Sequence, residues 1–331
     1  MTHLRIGNVS VGPSQIKFGS LGEIFLPDSS SVRIPLIVVN GSRSGPILWI
    51  SSTMHGTELT GAEVIRRITR ELITPRKLRG AIVALPIVNP LAFHHHSMNT
   101  PQDEYNLNRV FPGSPTGSTS FRMADLLFKE GVLKCDYLLD FHANPIPAMP
   151  FSIVKETSEP NISQKSIAMA KAFGITTIQM EYRHEPQRTG TITERAGMQR
   201  KPALTVELLY WRRIDPTAVN VGVRGTLNIL KHLDMIDGRI EKQTEVEIIT
   251  GDLSRVEVTA NKGGIVHTLI EPGQWVKKGE RIAEIYDPYG DIVEKVNSPL
   301  RGFILAFPFL GNQAVATGDT IAFVGFRRGD H

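Results

Sequence analysis

The chain has 331 residues, a length that suits one large domain plus one small one. Apolar residues make up 41% and charged residues 21%, the balance of a protein that buries a sizeable core. The net charge of +4 is spread along the chain, which gives no basic face for nucleic acid, and the single cysteine, Cys135, excludes both an intrachain disulfide and a thiolate zinc site.

Residues 1–45 read as strands and turns. Glu23–Leu26 and Val32–Val39 are separated by Pro27-Asp28-Ser29-Ser30-Ser31, a hairpin-like break. From Ile47 a short apolar run stops at His55, a buried strand that delivers His55 and Glu58 to the point where the chain turns, and Leu59–Ile68 has the spacing of an amphipathic helix. Ala81–Val88 is a second apolar run, closed by Asn89-Pro90, and a long polar loop follows from His94 to about Gly117. Phe121–Val132 has helical spacing. Tyr137–Phe141 is a strand ending at His142, and Cys135 beside it is a small core residue. Ile162–Phe173 is a helix with Gly174 as its stop signal. Thr176–Met180 is a strand, Gly190–Met198 a helix, Ala203–Val206 a strand reaching Glu207, and Thr217–Leu233 a long amphipathic helix. Apolar runs alternating with helices predict an α/β fold with a mixed, mainly parallel sheet flanked by helices. The first domain is expected over 1–245. No apolar run approaches the ~20 residues of a membrane span, and Met1–Asn8 lacks the apolar stretch of a signal peptide. The expectation is a cytoplasmic protein with no membrane partner and no nucleic-acid partner.

Residues 246–331 change character. Short alternating segments are punctuated by Gly263-Gly264, Pro272-Gly273, Lys278-Gly279, Tyr289-Gly290, Arg301-Gly302, Gly311-Asn312 and Thr317-Gly318, the pattern of a compact all-β module. Gly264-Ile265-Val266, Glu271-Pro272-Gly273-Gln274-Trp275-Val276-Lys277-Lys278-Gly279-Glu280 and Ser298-Pro299-Leu300-Arg301-Gly302-Phe303-Ile304 resemble biotinyl/lipoyl-type barrels. The corresponding hairpin tip is Asp287-Pro288-Tyr289-Gly290-Asp291. Asp291 stands where a carrier lysine would be, and the nearest lysine, Lys295, lies in the next strand. The module is expected to be a carrier-like fold without a carrier lysine.

Four polar residues fall just after apolar strand runs: His55, Asn89, His142 and Glu207. Ligand sites of open α/β sheets lie outside the carboxyl ends of the strands, so these four are expected to converge. His55, Glu58 and His142 together offer two imidazoles and a carboxylate, the donor set of a catalytic zinc site with one open position. The i, i+3 spacing suits a strand-to-helix turn, with Gly56 letting the backbone bend. Glu207 is the candidate to move a proton to the leaving group. Asn108 and Arg109, in Asn106-Leu107-Asn108-Arg109-Val110-Phe111-Pro112-Gly113, are suited to hold a substrate carboxylate.

His55-Gly56-Thr57-Glu58, Asn89-Pro90, the Asn106–Gly113 segment, Asp140-Phe141-His142 and Thr205-Val206-Glu207 occur in an order that resembles the succinylglutamate desuccinylase/aspartoacylase family, zinc hydrolases of the zinc-carboxypeptidase fold. The resemblance extends over essentially the whole chain. It implies His55, Glu58 and His142 as ligands of one zinc per chain. Asn108 and Arg109 then become the carboxylate-binding pair, and Glu207 the general acid/base. The implied reaction is hydrolysis of an amide bond in an N-acyl amino acid. One stretch departs from the pattern: where several members read Arg-x-Ser-Pro, this chain reads Met98-Asn99-Thr100-Pro101. His94-His95-His96 just upstream reads as a replacement donor, a pocket lining, a second metal site or a solvated loop. Arg195, with Arg183, His184 and Arg188, reads as a second carboxylate contact or as basic surface. Tyr210 and Trp211 read as a pocket wall or as core. Tyr289, on the β-module tip, would reach the site if that module covered the cleft.

The leading expectation is a zinc-dependent N-acyl amino-acid amidohydrolase acting on a small molecule, with a homo-oligomer compatible with the sequence. A metallocarboxypeptidase acting on short peptides would use the same parts. A non-catalytic, zinc-containing ligand-binding or sensor protein is the reading from a different class.

Overall fold

Two compact units divide the chain in the computed structural model, which describes residues 3–144, 148–180, 190–244, 247–250, 253–308 and 313–327. The larger comprises Met1–Ala143, Phe151–Leu208 and Arg212–Ile249; the smaller comprises Asn144–Pro150, Leu209–Trp211 and Thr250–His331.

In the larger unit, β1 (Leu4–Ile6) and β2 (Val9–Val11) form a short ribbon. The main elements then run β3 (Gln15–Phe25), β4 (Ser31–Asn40), β5 (Arg43–Ser51), α1 (Thr60–Arg67), β6 (Arg79–Leu85), α2 (Pro90–His95), α3 (Thr119–Leu126), β7 (Tyr137–Asn144), β8 (Phe151–Lys155), α4 (Pro160–Phe173), β9 (Thr177–Met180), α5 (Ile192–Met198), β10 (Ala203–Leu209), α6 (Pro216–His232) and β11 (Ile248–Thr250). Nine strands form one mixed sheet in the order β11-β9-β8-β10-β7-β5-β6-β4-β3. Pairing is parallel for β6-β5-β7 and for β8-β9, and antiparallel for β3-β4-β6 and for β8-β10. The expected hairpin is β3-β4, and Gly174 ends α4 at φ +92°, the left-handed position that a side chain disfavours.

The central strands are apolar throughout because both faces are covered. Trp49, Val83, Leu85 and Leu138 enter one core with Phe111, Met123 and Phe128. Their neighbours Leu48, Ile50, Ile82, Ala84, Leu139 and Phe141 enter the other, with Val64, Ile65, Phe173 and Ile229. Alternation along a strand then decides where polar residues go. Ser51 shares the face of Trp49, Asp140 and His142 share that of Leu138, and Thr205 and Glu207 share that of Ala203. β5, β7 and β10 are consecutive in the sheet, so these residues lie together on one face.

Two expectations about strand ends are corrected. His142 and Glu207 do not follow their strands but lie inside them, since β7 continues to Asn144 and β10 to Leu209. The residues after the apolar runs still make ladder hydrogen bonds, and apolar patterning does not register those. Helix α2 begins inside what reads as the approach to a polar loop. Asn89 caps it by accepting from the Ala92 N–H at 3.0 Å, and Pro90 supplies its first position.

The smaller unit is built of antiparallel strands: β12 (Leu253–Thr259), β13 (Gly264–Thr268), β14 (Trp275–Val276), β15 (Arg281–Tyr286), β16 (Ile292–Asn297), β17 (Gly302–Ala306), β18 (Ala314–Val315) and β19 (Thr320–Arg327). Two four-stranded sheets, β12-β19-β17-β14 and β16-β15-β13-β18, share a core of Val258, Val266, Ile282, Ile285, Ile304, Phe307 and Val324. At the Asp287–Asp291 tip, Asp287 Oδ1 accepts from the backbone N–H of Tyr289 and of Asp291, which leaves the Tyr289 side chain 93% exposed. Gly311-Asn312 lies outside the described residues.

Candidate active site

Glu58 is the centre of the site. Its two oxygens lie 2.8 Å from His55 Nδ1 and 2.9 Å from His142 Nδ1, and all three residues are buried. The two imidazole rings are 5.1 Å apart. One donor atom from each residue falls within 4.8 Å of the others, and among the described residues this is the one such group of three that could hold a metal ion.

The far side of each ring decides its tautomer. His55 Nε2 lies 3.2 Å from Asn106 Oδ1, an amide oxygen that only accepts, so Nε2 carries the proton. His142 Nε2 lies 2.9 Å from Asp140 Oδ2 and 3.1 Å from Asn108 Nδ2. A carboxylate accepts only, so this nitrogen also carries its proton and gives it to Asp140. The Asn108 nitrogen is then a packing neighbour of the ring. Both imidazoles therefore turn Nδ1 toward Glu58, with the outer ring nitrogen anchored, so that a metal would take the inner position in place of the protons Nδ1 shares with the carboxylate. Two such nitrogens and a carboxylate oxygen fit a divalent cation of borderline softness.

The electrostatics are those of a site prepared for positive charge. Burial by itself would raise the Glu58 pKa, but His55 and His142 outweigh it and hold the carboxyl well below the usual range. Burial disfavours a charged His142, yet Asp140 and Glu58 hold its pKa well above that of an ordinary imidazole. Glu207 goes the other way. Burial leads, the Glu58 and Asp140 charges add to it, and His142 and His55 oppose it, leaving the carboxyl pushed up to about 7.

The backbone that carries His55 and Glu58 is held tightly. Thr53 has φ +56°, a left-handed conformation that β-branched residues avoid, and its hydroxyl donates to the Glu58 carbonyl at 3.0 Å. Asn89 Nδ2 donates to the Met54 carbonyl at 3.3 Å and lies 3.1 Å from the Thr100 hydroxyl. Asn89 is thus a brace for the His55 turn rather than a fourth convergent group. Gly56 N–H donates to Ser97 O at 2.8 Å, and a Cβ on Gly56 would sit 1.9 Å from the Ala92 carbonyl oxygen. Gly56 lies in the turn that the Glu58 N–H closes onto the His55 carbonyl at 3.1 Å, where bending was expected, and the close approach of α2 is what bars a side chain there.

Asn108 is buried, and its Oδ1 accepts from the Ile192 N–H at 3.0 Å, which ties α5 to the loop carrying Asn106 to Arg109. Arg109 is exposed, with Nη1 donating to the Asn108 carbonyl at 2.9 Å. His94, His95 and His96 are all exposed at the end of α2, and Met98 is also exposed. Arg195 is buried on α5, with Nη1 3.1 Å from Met198 Sδ and no hydrogen bond at Nε. That contact lies at the opposite end of α5 from Ile192. Arg183, His184 and Arg188 lie outside the described residues.

Three contributors had no role assigned from the sequence: Asn106, Asp140 and Ser51, whose hydroxyl donates to Asp140 Oδ1 at 2.6 Å. Asp140 was legible in principle, because residues two apart on a strand share a face and an acidic residue two before a histidine sits beside it. Asn106 and Ser51 come from distant segments and left no such signal.

The model of the succinylglutamate desuccinylase/aspartoacylase catalytic domain matches residues 44–233. The chain is 27% identical to N-alpha-acetyl-L-2,4-diaminobutyric acid deacetylase of Halomonas elongata over 301 residues, covering 89% of this chain and 86% of that one. Among solved structures, the product-bound ectoine utilization protein EutE (DoeB) of Ruegeria pomeroyi superposes with a TM-score of 0.78 at 22% identity, covering 96% of this chain and 97% of that one. A metallo-carboxypeptidase of Burkholderia cenocepacia superposes with a TM-score of 0.53 at 19% identity, covering 66% and 65%. Both likenesses are of fold.

Proposed function

The chain belongs to the succinylglutamate desuccinylase/aspartoacylase catalytic family, and from that premise we propose that it is a zinc-dependent hydrolase of the amide bond in a small N-acyl amino acid. The observation that carries the reading is Glu58 set between two Nδ1 atoms, each imidazole anchored through its other nitrogen. His55, Glu58 and His142 would hold one zinc ion. Bound zinc supplies Lewis-acid polarisation of the acyl carbonyl and makes water a nucleophile near neutral pH.

The chain's own groups do the rest. Glu207, deprotonated, takes a proton from the attacking water and returns it to the departing nitrogen, so the leaving group departs as a neutral amine. Its raised pKa suits both halves of that transfer, since a carboxyl near 7 releases and accepts a proton at similar cost. Arg109 offers an exposed guanidinium to the substrate carboxylate. Asn108 Nδ2 adds donors beside it, because its oxygen is already bound to the Ile192 N–H and an amide nitrogen carries two N–H bonds. The Halomonas elongata relative, a deacetylase by name, supports an acyl group leaving an amino acid over a peptide being trimmed.

The test is amine release by the zinc-loaded enzyme from N-acetyl and N-succinyl amino acids, including Nα-acetyl-2,4-diaminobutyrate, against a panel of dipeptides. Hydrolysis of an N-acyl amino acid well ahead of every dipeptide is expected. Preference for the dipeptides, or inactivity on the whole panel with zinc bound, sinks the proposal.

A further inference from the structure

The smaller unit carries a groove of about 640 Å³ that the hydrolytic reading does not use. Trp275, Val276, Lys277, Lys278, Gly279, Glu280 and Arg301 line it. Val276 is the buried floor, while Trp275 is 41% exposed and packs on Phe303 with ring planes tilted by 56° and centroids 5.3 Å apart. The Arg301 guanidinium lies 6.0 Å from the indole centroid. Lys277, Lys278 and Arg301 have no carboxylate partner among the described residues. The one acidic side chain of the groove, Glu280, already accepts the Lys277 N–H at 2.8 Å.

The backbone is open as well. β14 pairs with β17 through Trp275 opposite Phe303 and Val276 opposite Gly302, and it is the last strand of its sheet. Ile304 N–H donates to the Gln274 carbonyl at 3.0 Å, so by the alternation of an antiparallel ladder the Trp275 N–H and carbonyl point away from β17, toward the free edge. Exposed edges are commonly blunted with lysine, which deters strand addition. The exposed Trp275 adds to this edge an apolar surface that lysine alone does not supply. Aromatic and arginine side chains at an accessible groove are the residues that dominate binding energies at protein interfaces.

We propose that this groove binds an extended, acidic segment of a partner protein, which adds beside β14. The Trp275 backbone would bond the added strand, the indole would pack an apolar residue of it, and Lys277, Lys278 and Arg301 would face its carboxylates. The site is separate from the hydrolytic reading and does not depend on it.

Fluorescence anisotropy of a labelled acidic peptide, Glu-Glu-Leu-Glu-Glu-Glu, with the full chain tests this. Binding that weakens with salt is expected, with a loss of about tenfold or more in each of Trp275→Ala, Lys278→Glu and Arg301→Glu. Amide hydrogen exchange along β17 and β19 in the same variants should match that of the parent, which certifies that the smaller unit folds. No binding of that peptide, or equal binding by the three variants, overturns the proposal. So does displacement by inorganic phosphate or AMP as readily as by unlabelled peptide, which would make the groove a small-anion site. Self-association of the chain that Trp275→Ala abolishes would make it an interface between copies and overturn it too.

Discussion

Glu207 and Gly56 carry the sharpest consequences of single side chains. Glu207→Gln keeps the shape of the site and removes the proposed proton acceptor. Metal content should stay at one ion per chain while kcat falls by roughly 10²- to 10⁴-fold; unchanged turnover would take Glu207 out of the reaction. The pH profile follows from the sign of its shift. The working form is the deprotonated one, so kcat/KM should fall as pH drops through the Glu207 pKa, which is about 7 without metal. A bound cation favours the carboxylate and moves that limb lower. An acid limb above 7, or one that survives in Glu207→Gln, would contradict the assignment. At Gly56 the obstacle is the backbone oxygen of Ala92, which no rotamer change removes. Gly56→Ala should therefore cost metal binding or soluble expression. Gly290→Ala is the control, since its Cβ would meet nothing within 4 Å and only the φ of +96° resists it. That strain is worth about 1–2 kcal/mol, and a melting curve of each variant separates the two cases.

At the scale of elements, the segment between α2 and α3 is held by one carboxylate. Asp103 Oδ2 accepts from the Ser118 hydroxyl at 2.6 Å and the Ser120 N–H at 2.7 Å, and its Oδ1 accepts from the Ser120 hydroxyl at 2.7 Å. This joins the loop leading to Asn106 onto the start of α3. Burial tends to raise the Asp103 pKa, but the donors from Ser118, Ser120 and Tyr105 together lower it. A carboxyl depressed in the folded state stabilises fully above its unfolded pKa, and that contribution is lost as pH falls through the folded value. Asp103→Ala should cost about 1–3 kcal/mol at neutral pH. The gap between variant and parent should close below pH ~4. Denaturant midpoints at neutral and acid pH check this, and a gap that widens in acid would reverse the sign argued here. The loop it anchors carries Asn106 and Asn108, so the same variant should raise KM more than it lowers kcat.

For the whole molecule, the proposed metal would be a stabilising ligand as well as a reagent. The folded protein gathers three donors from β7 and the turn after β5, and the unfolded chain has no such site. Chelation should lower the melting temperature and zinc should restore it, because a ligand at 1,000 times its Kd contributes about 4 kcal/mol. A melting temperature indifferent to chelator would show that the three residues hold no ion. The smaller unit also has a consequence for truncation. It includes Asn144–Pro150 and Leu209–Trp211, and the Met149 N–H donates to the Leu305 carbonyl at 3.3 Å. A fragment of residues 246–331 lacks those segments. It should show lower amide protection along β17 than the full chain, readable by hydrogen exchange.

The sequence by itself determined the local matters. Apolar runs marked β5, β6, β7 and β10, helical spacing marked α1, α4 and α6, and glycine and proline marked most of the ends, since these signals depend on a few adjacent residues. The His55–Glu58 spacing and the strand carrying His142 made the metal cluster legible, because a metal needs recognisable donor types. Tertiary structure decided what those residues face. It extended β7 and β10 beyond their apolar runs, turned Asn89 into a brace, and gave Gly56 its reason in the approach of a helix no pattern announced. It also brought Asn106 to the His55 imidazole and Ser51 to Asp140, which anchors His142. Hydrogen-bond partners from distant segments leave no periodic trace, and only the folded chain brings them within 3.2 Å of one another.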